Sequence, residues 1–194
     1  KKIVVGKDFH FGAGRKGDVS LLKDNEKKKG FQLILTPPQT KDGEIINSTK
    51  IRLYIKKGDI KKANDFLGRT FSIKGRVIHG DKIGSKIGFP TANLDILNRI
   101  EISEGIYAGK FKYQNKFYPS AIYIGNSPTF DNQEKKFEVF IFNFNKDLYG
   151  KIIKIYILDK VRDKKKFKEE QELKKQISKD INKIEKILRT SNLI

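Results

Sequence analysis

From residue 70 onward the chain is a succession of short runs rich in aromatic and β-branched residues, at 71–78, 105–113, 116–125, 136–144 and 152–158. Turn residues separate the runs, and no helical pattern comes between them. Gln114-Asn115, between two of the runs, predicts a tight hairpin. Five or more short antiparallel strands with no helices between them predict a small closed barrel. A helix is expected to close the chain over 167–189. Leu173, Ile177, Ile181, Ile184 and Leu188 fall on one face of it, which would pack on the barrel, and Glu170 and Lys174 form an i,i+4 pair.

The first third of the chain has a different texture. Strand-like runs at 3–5 and 31–36 are split by Gly- and Lys-rich loops. Residues 48–66 then read as one or two short helices, with Ser48 or Thr49 as N-cap and a break near Gly58-Asp59. Leu67-Gly68-Arg69 marks the expected boundary between a partial α/β domain at 1–67 and the barrel domain at 68–194. The predicted class is α+β.

Composition narrows the function. There is no cysteine, so no disulfide and no thiolate metal site, and the two histidines, His10 and His79, are far apart. No apolar run is long enough to span a bilayer and no signal peptide is visible, so no membrane partner is expected and the cytoplasm is the expected compartment. The net charge of +19, from 42 Lys+Arg against 23 Asp+Glu, first suggests nucleic acid. The lysines are spread along the chain instead of gathered in one block. Nucleic acid is therefore not an expected partner, although a basic surface would steer phosphates. Composition leaves the oligomeric state undetermined. There is also no methionine, and residues 1–6 read like an internal strand entering a loop. The chain is expected to be a fragment or to have its N-terminal part upstream of Lys1.

The densest chemistry lies at 79–94, His-Gly-Asp-Lys-Ile-Gly-Ser-Lys-Ile-Gly-Phe-Pro-Thr-Ala-Asn-Leu. Glycines at 80, 84 and 88 let backbone N–H groups approach an anion, and Lys82 and Lys86 add point charge. The Walker spacing is absent. Phe89-Pro90-Thr91-Ala92-Asn93 reads as a rigid turn. Thr91 and Asn93 offer two neutral oxygen ligands, which suit a hard cation such as Mg²⁺ beside a phosphate. Farther on, Glu138 is expected to share a strand face with Phe140, Phe142 and Phe144. An acid on an apolar face loses hydration, which would raise its pKa and make it a better base.

These segments resemble the riboflavin kinases. The loop at 79–94, the turn Ile124-Gly125-Asn126-Ser127-Pro128-Thr129-Phe130, the acidic strand Glu138-Val139-Phe140, the turn Asp147-Leu148-Tyr149-Gly150 and Val161-Arg162-Asp163 with Phe167 match that family's motifs in order. The resemblance implies a barrel of about six strands and ATP-dependent phosphorylation of riboflavin to FMN. It implies Glu138 as catalytic base and Thr91 and Asn93 as the Mg²⁺–nucleotide pair. Gly80, Gly84, Ser85 and Lys86 would line the phosphates, with Ile141, Asn143 and Tyr149 around the nucleotide. Ser85 stands where the family often has a basic residue. Arg162, Lys165 and Phe167 match the flavin-contact segment; by composition alone the two basic residues read as part of a solvated charge run.

Upstream, Phe9-His10-Phe11-Gly12 and Ser48-Thr49-Lys50-Ile51-Arg52 resemble motifs of the FMN adenylyltransferase module. Phe9, Phe11, Gly12, Ser48, Thr49 and Arg52 would be its site residues here, and Asn47 stands where that family usually has serine. The module precedes the kinase in bifunctional bacterial FAD synthetases. Its H-x-G-H type motif is absent from this chain, so adenylylation of FMN to FAD is expected only of a longer protein. The alternative is a non-catalytic basic barrel that binds single-stranded nucleic acid by charge and stacking.

Overall fold

The computed structural model describes residues 1–80, 82–98, 100–126 and 135–190. They form two compact units, Lys1–Asn47 and Ser48–Ile194.

The first unit contains β1 (Lys2–Gly6), α1 (Val19–Lys29), β2 (Gln32–Thr36), β3 (Thr40–Lys41) and β4 (Glu44–Ile45). β1 and β2 pair in parallel. Parallel neighbours need a crossover, and α1 supplies it. This helix corrects the expectation of loops between the two strands. Asp18 caps it, accepting a 2.9 Å hydrogen bond from the Leu21 N–H, and Gly30 ends it at φ 65. Lys27, Lys28 and Lys29 sit at the negative end of its dipole. The helix has no buried residue, so it carries little of the apolar stripe by which helices are recognised. β3 and β4 form a further unforeseen hairpin, turning on Asp42-Gly43 with both residues at positive φ.

The second unit opens with α2 (Ser48–Lys57) and α3 (Ile60–Leu67). The break at Gly58-Asp59 is as expected, and Asp59 caps α3 through the Lys62 N–H. α2 begins at Ser48 itself, so Asn47, not Ser48 or Thr49, flanks its start. The strands are β5 (Phe71–Ile78), β6 (Ala92–Ile96), β7 (Gly105–Tyr113), β8 (Lys116–Asn126), β9 (Lys135–Ile141) and β10 (Ile152–Arg162). They close into a barrel in the order β10-β5-β6-β9-β8-β7. A short helix, α4 (Ile83–Lys86), lies between β5 and β6, and α5 (Glu170–Thr190) ends the unit.

Inward-facing residues fill the barrel, among them Ile73, Tyr107, Ile122, Ile124, Val139, Ile155 and Ile157, all at most 1% exposed. Each such side chain contributes about 1.5–3 kcal/mol. α3 is stitched to the barrel by the buried Asn64. Its amide donates to the carbonyls of Ile157 (3.0 Å) and Leu158 (3.2 Å), and its oxygen accepts from the Phe71 N–H (2.6 Å). On the outer wall, α5 covers a smaller cluster in which its Ile184 meets Ala108, Phe142 and Val161, with Ile181, Ile187 and Leu188 packed beside them. The expected apolar face of the helix is therefore its packing face over this part of its length. Lys174 and Glu170 pair at 2.7 Å.

Two expectations are corrected where they bear on the site. Thr91-Ala92-Asn93 is not a turn throughout, because Ala92 and Asn93 already belong to β6 and pair with Val139 and Glu138 of β9. β9 ends at Ile141, so Phe144 leaves the face of Glu138 and packs instead against Phe111 (5.3 Å) and Tyr118 (5.1 Å). The hairpin at Gln114-Asn115 stands as expected, with Tyr113 opposite Lys116.

Candidate active site

The chain after β5 folds back over the start of β6. The Phe89 N–H bonds the Gly84 carbonyl at 2.8 Å. Gly80 lies so close to the Asn93 amide that a Cβ there would overlap it. Gly84 is equally close to the Phe89 carbonyl, with the Thr91 hydroxyl beside it. These glycines thus bring loop backbone onto the two candidate oxygen ligands. Ser85 and Lys86 lie on α4 and are exposed.

Thr91, Asn93 and Glu138 come together. The Thr91 hydroxyl donates to Glu138 Oε2 at 3.0 Å, and Asn93 faces Glu138 directly across the β6–β9 ladder. Asn93 is buried, while the Glu138 side chain is 22% exposed. Glu138 shares its face with Phe140, whose ring meets Phe89 edge-on at 5.6 Å. It is not the bare acid expected from the sequence, because Lys136, two residues away on the same face, holds its Oε1 at 3.1 Å.

Tyr149 joins the loop through His79, to which the sequence reading assigns no role. The two rings stack at 4.3 Å with planes 25° apart. The turn that carries Tyr149 is pinned beside β5 by Arg76, which donates to the Gly150 carbonyl at 2.8 Å. Ile141 is a core residue inside the barrel, so its side chain is not offered to a ligand. Asn143 is exposed, in the turn after β9, at φ 53.

Arg162, Lys165 and Phe167 also come together, at the far end of β10. The Arg162 guanidinium lies 5.8 Å and the Lys165 ammonium 5.6 Å from the centre of the Phe167 ring. Arg162 is not part of a solvated run. Its Nε and Nη2 bind both carboxylate oxygens of Asp180 on α5, at 2.7–3.0 Å. The two side chains are 20% and 8% exposed. Asp180 also accepts from Gln176 at 2.8 Å. Next to this clamp, Lys160 reaches Asp163 at 2.6 Å and Ser103 at 2.9 Å. The Lys160 hydrogen bond and charge hold the Asp163 carboxyl below its ordinary range. Sequence reasoning missed Asp180 because nothing local marks one acid in a charged helix as the partner of a residue 18 positions earlier.

In the first unit Phe9 stacks on Phe11 at 5.8 Å, and Gly12 has φ 76. Ser48, Thr49 and Arg52 lie at the start of α2 in the second unit, where Arg52 donates to the Ser48 hydroxyl at 3.3 Å. The segment Ser127-Pro128-Thr129-Phe130 falls outside the described residues.

A closed barrel with a glycine loop folded onto a Thr–Asn–Glu cluster defines a class, and comparison with known proteins agrees with it. The family model described as riboflavin kinase matches residues 67–188, and this chain belongs to that family. A second model, described as FAD synthetase, matches residues 1–50. The bifunctional riboflavin kinase/FMN adenylyltransferase of Buchnera aphidicola subsp. Acyrthosiphon pisum (strain APS) is 44% identical over 189 residues, which are 96% of this chain and 60% of that protein. The protein of the same name from Escherichia coli (strain K12) is 36% identical over 181 residues, 93% of this chain and 58% of that one. The chain thus spans about three fifths of the length of these relatives. A crystal structure described as a macrolide-efflux protein from Streptococcus pneumoniae superposes with a TM-score of 0.83 at 35% identity, covering 96% of this chain and 59% of that one. Among the described residues no helix is long and apolar enough to cross a membrane.

Proposed function

We propose that this chain transfers the γ-phosphoryl group of ATP to the 5′-hydroxyl of riboflavin, giving FMN and ADP. The observation that carries the reading is the Thr91–Glu138 hydrogen bond with Asn93 opposite in register. It fixes one carboxylate beside two neutral oxygen ligands, under a loop whose glycines let its backbone close onto them. In this reading residues 68–194 are the kinase domain and residues 1–67 are part of an FMN adenylyltransferase domain. ATP as donor puts the reaction in the cytoplasm.

Glu138 takes the proton of the ribityl hydroxyl as that oxygen forms its bond to the γ-phosphorus and the bond to the β,γ-bridging oxygen breaks. Both carboxylate oxygens have a partner, yet each keeps a second lone pair for the proton. General-base help of this kind is worth about 10²–10⁴ in rate. Gly80, Gly84, Ser85 and Lys86 cradle the phosphates. Asn143 and Tyr149 border the nucleotide, with His79 stacked on Tyr149 and Ile141 contributing backbone alone. Arg162, Lys165 and Phe167 hold the flavin. In a longer protein, Phe9, Phe11, Gly12, Ser48, Thr49 and Arg52 would serve adenylylation of FMN to FAD.

The residues present fit a Mg²⁺ ion. Thr91 uses its hydroxyl proton on Glu138, so its lone pairs remain for a cation. The Asn93 amide occupies room that a side chain at Gly80 would fill. Among the described residues no group of three or more His, Cys, Asp or Glu side chains could hold a metal ion. Thr91 and Asn93 would therefore share the ion with substrate phosphates, as is usual for Mg²⁺. When bound there, the ion supplies neutralisation of charge on the transferring group.

Chromatography of the products from riboflavin, ATP and Mg²⁺ with this polypeptide tests the reading: FMN is expected and FAD is not. Absence of FMN together with unquenched flavin fluorescence overturns it. The single-stranded nucleic acid alternative accounts for neither the Thr91–Glu138 contact nor the family match.

A further inference from the structure

The face that carries Glu138 does not end at Asn93. Ile78, the last residue of β5, pairs with Asn93, and Asn93 pairs with Glu138. Directly opposed residues of antiparallel strands project to the same side, so Ile78, Asn93 and Glu138 share one face. Ile78 is 42% exposed. The next residue, His79, is also exposed, and its ring stacks on Tyr149 with centres 4.3 Å apart. Tyr149 is itself 46% exposed. Gly80 then brings the chain back onto the Asn93 amide. Exposed apolar and aromatic side chains therefore adjoin the Thr91–Asn93–Glu138 cluster. A mostly apolar surface with a few convergent polar groups is the usual chemistry of a ligand site.

The backbone that carries Tyr149 is fixed. Its own N–H bonds Asp147 Oδ1 at 2.9 Å. The Gly150 N–H bonds the Val77 carbonyl and the Val77 N–H bonds the Lys151 carbonyl, both at 3.0 Å. These bonds seat the turn on β5, two residues before His79, but none of them reaches the Tyr149 side chain. Among the described residues His79 is its ring partner. A fixed and half-exposed aromatic ring offers a π-face, and the ligand group that answers it is a flat nucleobase. The glycine loop begins one residue after His79. A nucleotide would thus lie with its base on the rings and its phosphates along the loop, toward Thr91 and Asn93.

We propose that His79 is a positioning residue for the nucleotide: stacked on Tyr149, it holds that ring as a shelf for the adenine base, one residue ahead of the loop that takes the phosphates. This rests on the kinase reading given above.

His79→Ala removes the ring that holds Tyr149. It should raise the ATP KM, and the ADP Kd from calorimetry, about tenfold, within the worth of one base–aromatic stack. The riboflavin KM and kcat should each stay within about twofold. His79→Phe keeps a flat ring and should bring both nucleotide constants back to within about threefold of wild type. Tyr149→Ala should cost at least as much as His79→Ala. The double variant should be no worse than Tyr149→Ala alone, since His79 acts through that ring. Unchanged nucleotide constants in His79→Ala, no recovery in His79→Phe, additive effects in the double variant, or an equal rise in the riboflavin KM overturns the proposal. If His79→Ala lowers the melting temperature, His79→Gln, polar but without a ring, decides the matter on the same criteria. A wild-type chain that neither binds riboflavin nor forms FMN overturns the kinase reading and this inference with it. An active wild type with an unaltered His79→Ala variant overturns the inference alone.

Discussion

At the Glu138 end of the barrel wall, a hydroxyl, an amide and close-packed backbone gather around one carboxylate, whose only ion pair is with Lys136 among the described residues. At the Arg162 end, about 14 Å along the wall at three strand spacings, full charges are already paired with each other. The difference follows from the proposed ligands. A nucleotide with its metal brings its own charge and needs donors and ligands that are not used up. A neutral flavin brings none, so charges near it have to be satisfied within the protein, where leaving one partly buried and unpaired costs several kcal/mol. On the proposed reading, the Glu138 end serves exchange and the Arg162 end rigidity.

Glu138→Gln sharpens this contrast most. FMN formation should fall about 10²–10⁴-fold, with riboflavin and ADP affinities within a few-fold of wild type, in single-turnover and calorimetric measurements. A variant that turns over at near the wild-type rate removes Glu138 as the base.

Asp180→Ala probes the rigid end. It strands the Arg162 guanidinium, at a cost of about 3 kcal/mol in urea unfolding, and should raise the riboflavin KM more than the ATP KM. Arg162→Ala should give the same split between substrates. A variant as stable as wild type would mean that the clamp holds nothing in place, and the comparison between the two ends would break.

Thr91→Ala and Asn93→Ala should each weaken Mg–nucleotide binding and turnover together, by about tenfold, the worth of one lost polar contact. Calorimetry at several Mg²⁺ concentrations checks it: an unaltered Mg²⁺ dependence in both variants removes the metal role.

The smallest effect is at Asp163. Its carboxyl, lowered by the Lys160 hydrogen bond and charge, favours the folded state above its unfolded pKa of about 4. That contribution is lost as the pH falls through the lower folded value. The carboxylate is fully exposed to solvent, which screens the pair. Asp163→Asn should leave the neutral-pH unfolding midpoint unchanged within error. A clear loss at pH 7 that vanishes in acid would move Asp163 into the same class as Asp180.

The sequence by itself determined the closed barrel, its hairpin at Gln114-Asn115, the terminal helix and its packing face. These depend on the period of neighbouring residues and on turn chemistry, both local and additive along the chain. Asp42-Gly43 and the Asp18 cap are local signals of a turn and a helix start, yet neither the β3–β4 hairpin nor α1 was expected, since α1 buries nothing and carries a weak stripe. The grouping of Thr91, Asn93 and Glu138 came from motif resemblance, since no periodicity relates residues 91 and 138. Tertiary structure alone decided that Asn93 starts a strand and meets Glu138 in register, and that Ile141 turns inward. It also decided that Phe144 leaves the face of Glu138, that Arg162 is gripped by Asp180, and that Tyr123 fills the space over Gly125. The reason is physical: a β-register and a charge pair are fixed by which strands and helices closure brings side by side, and that choice is made by the whole core at once.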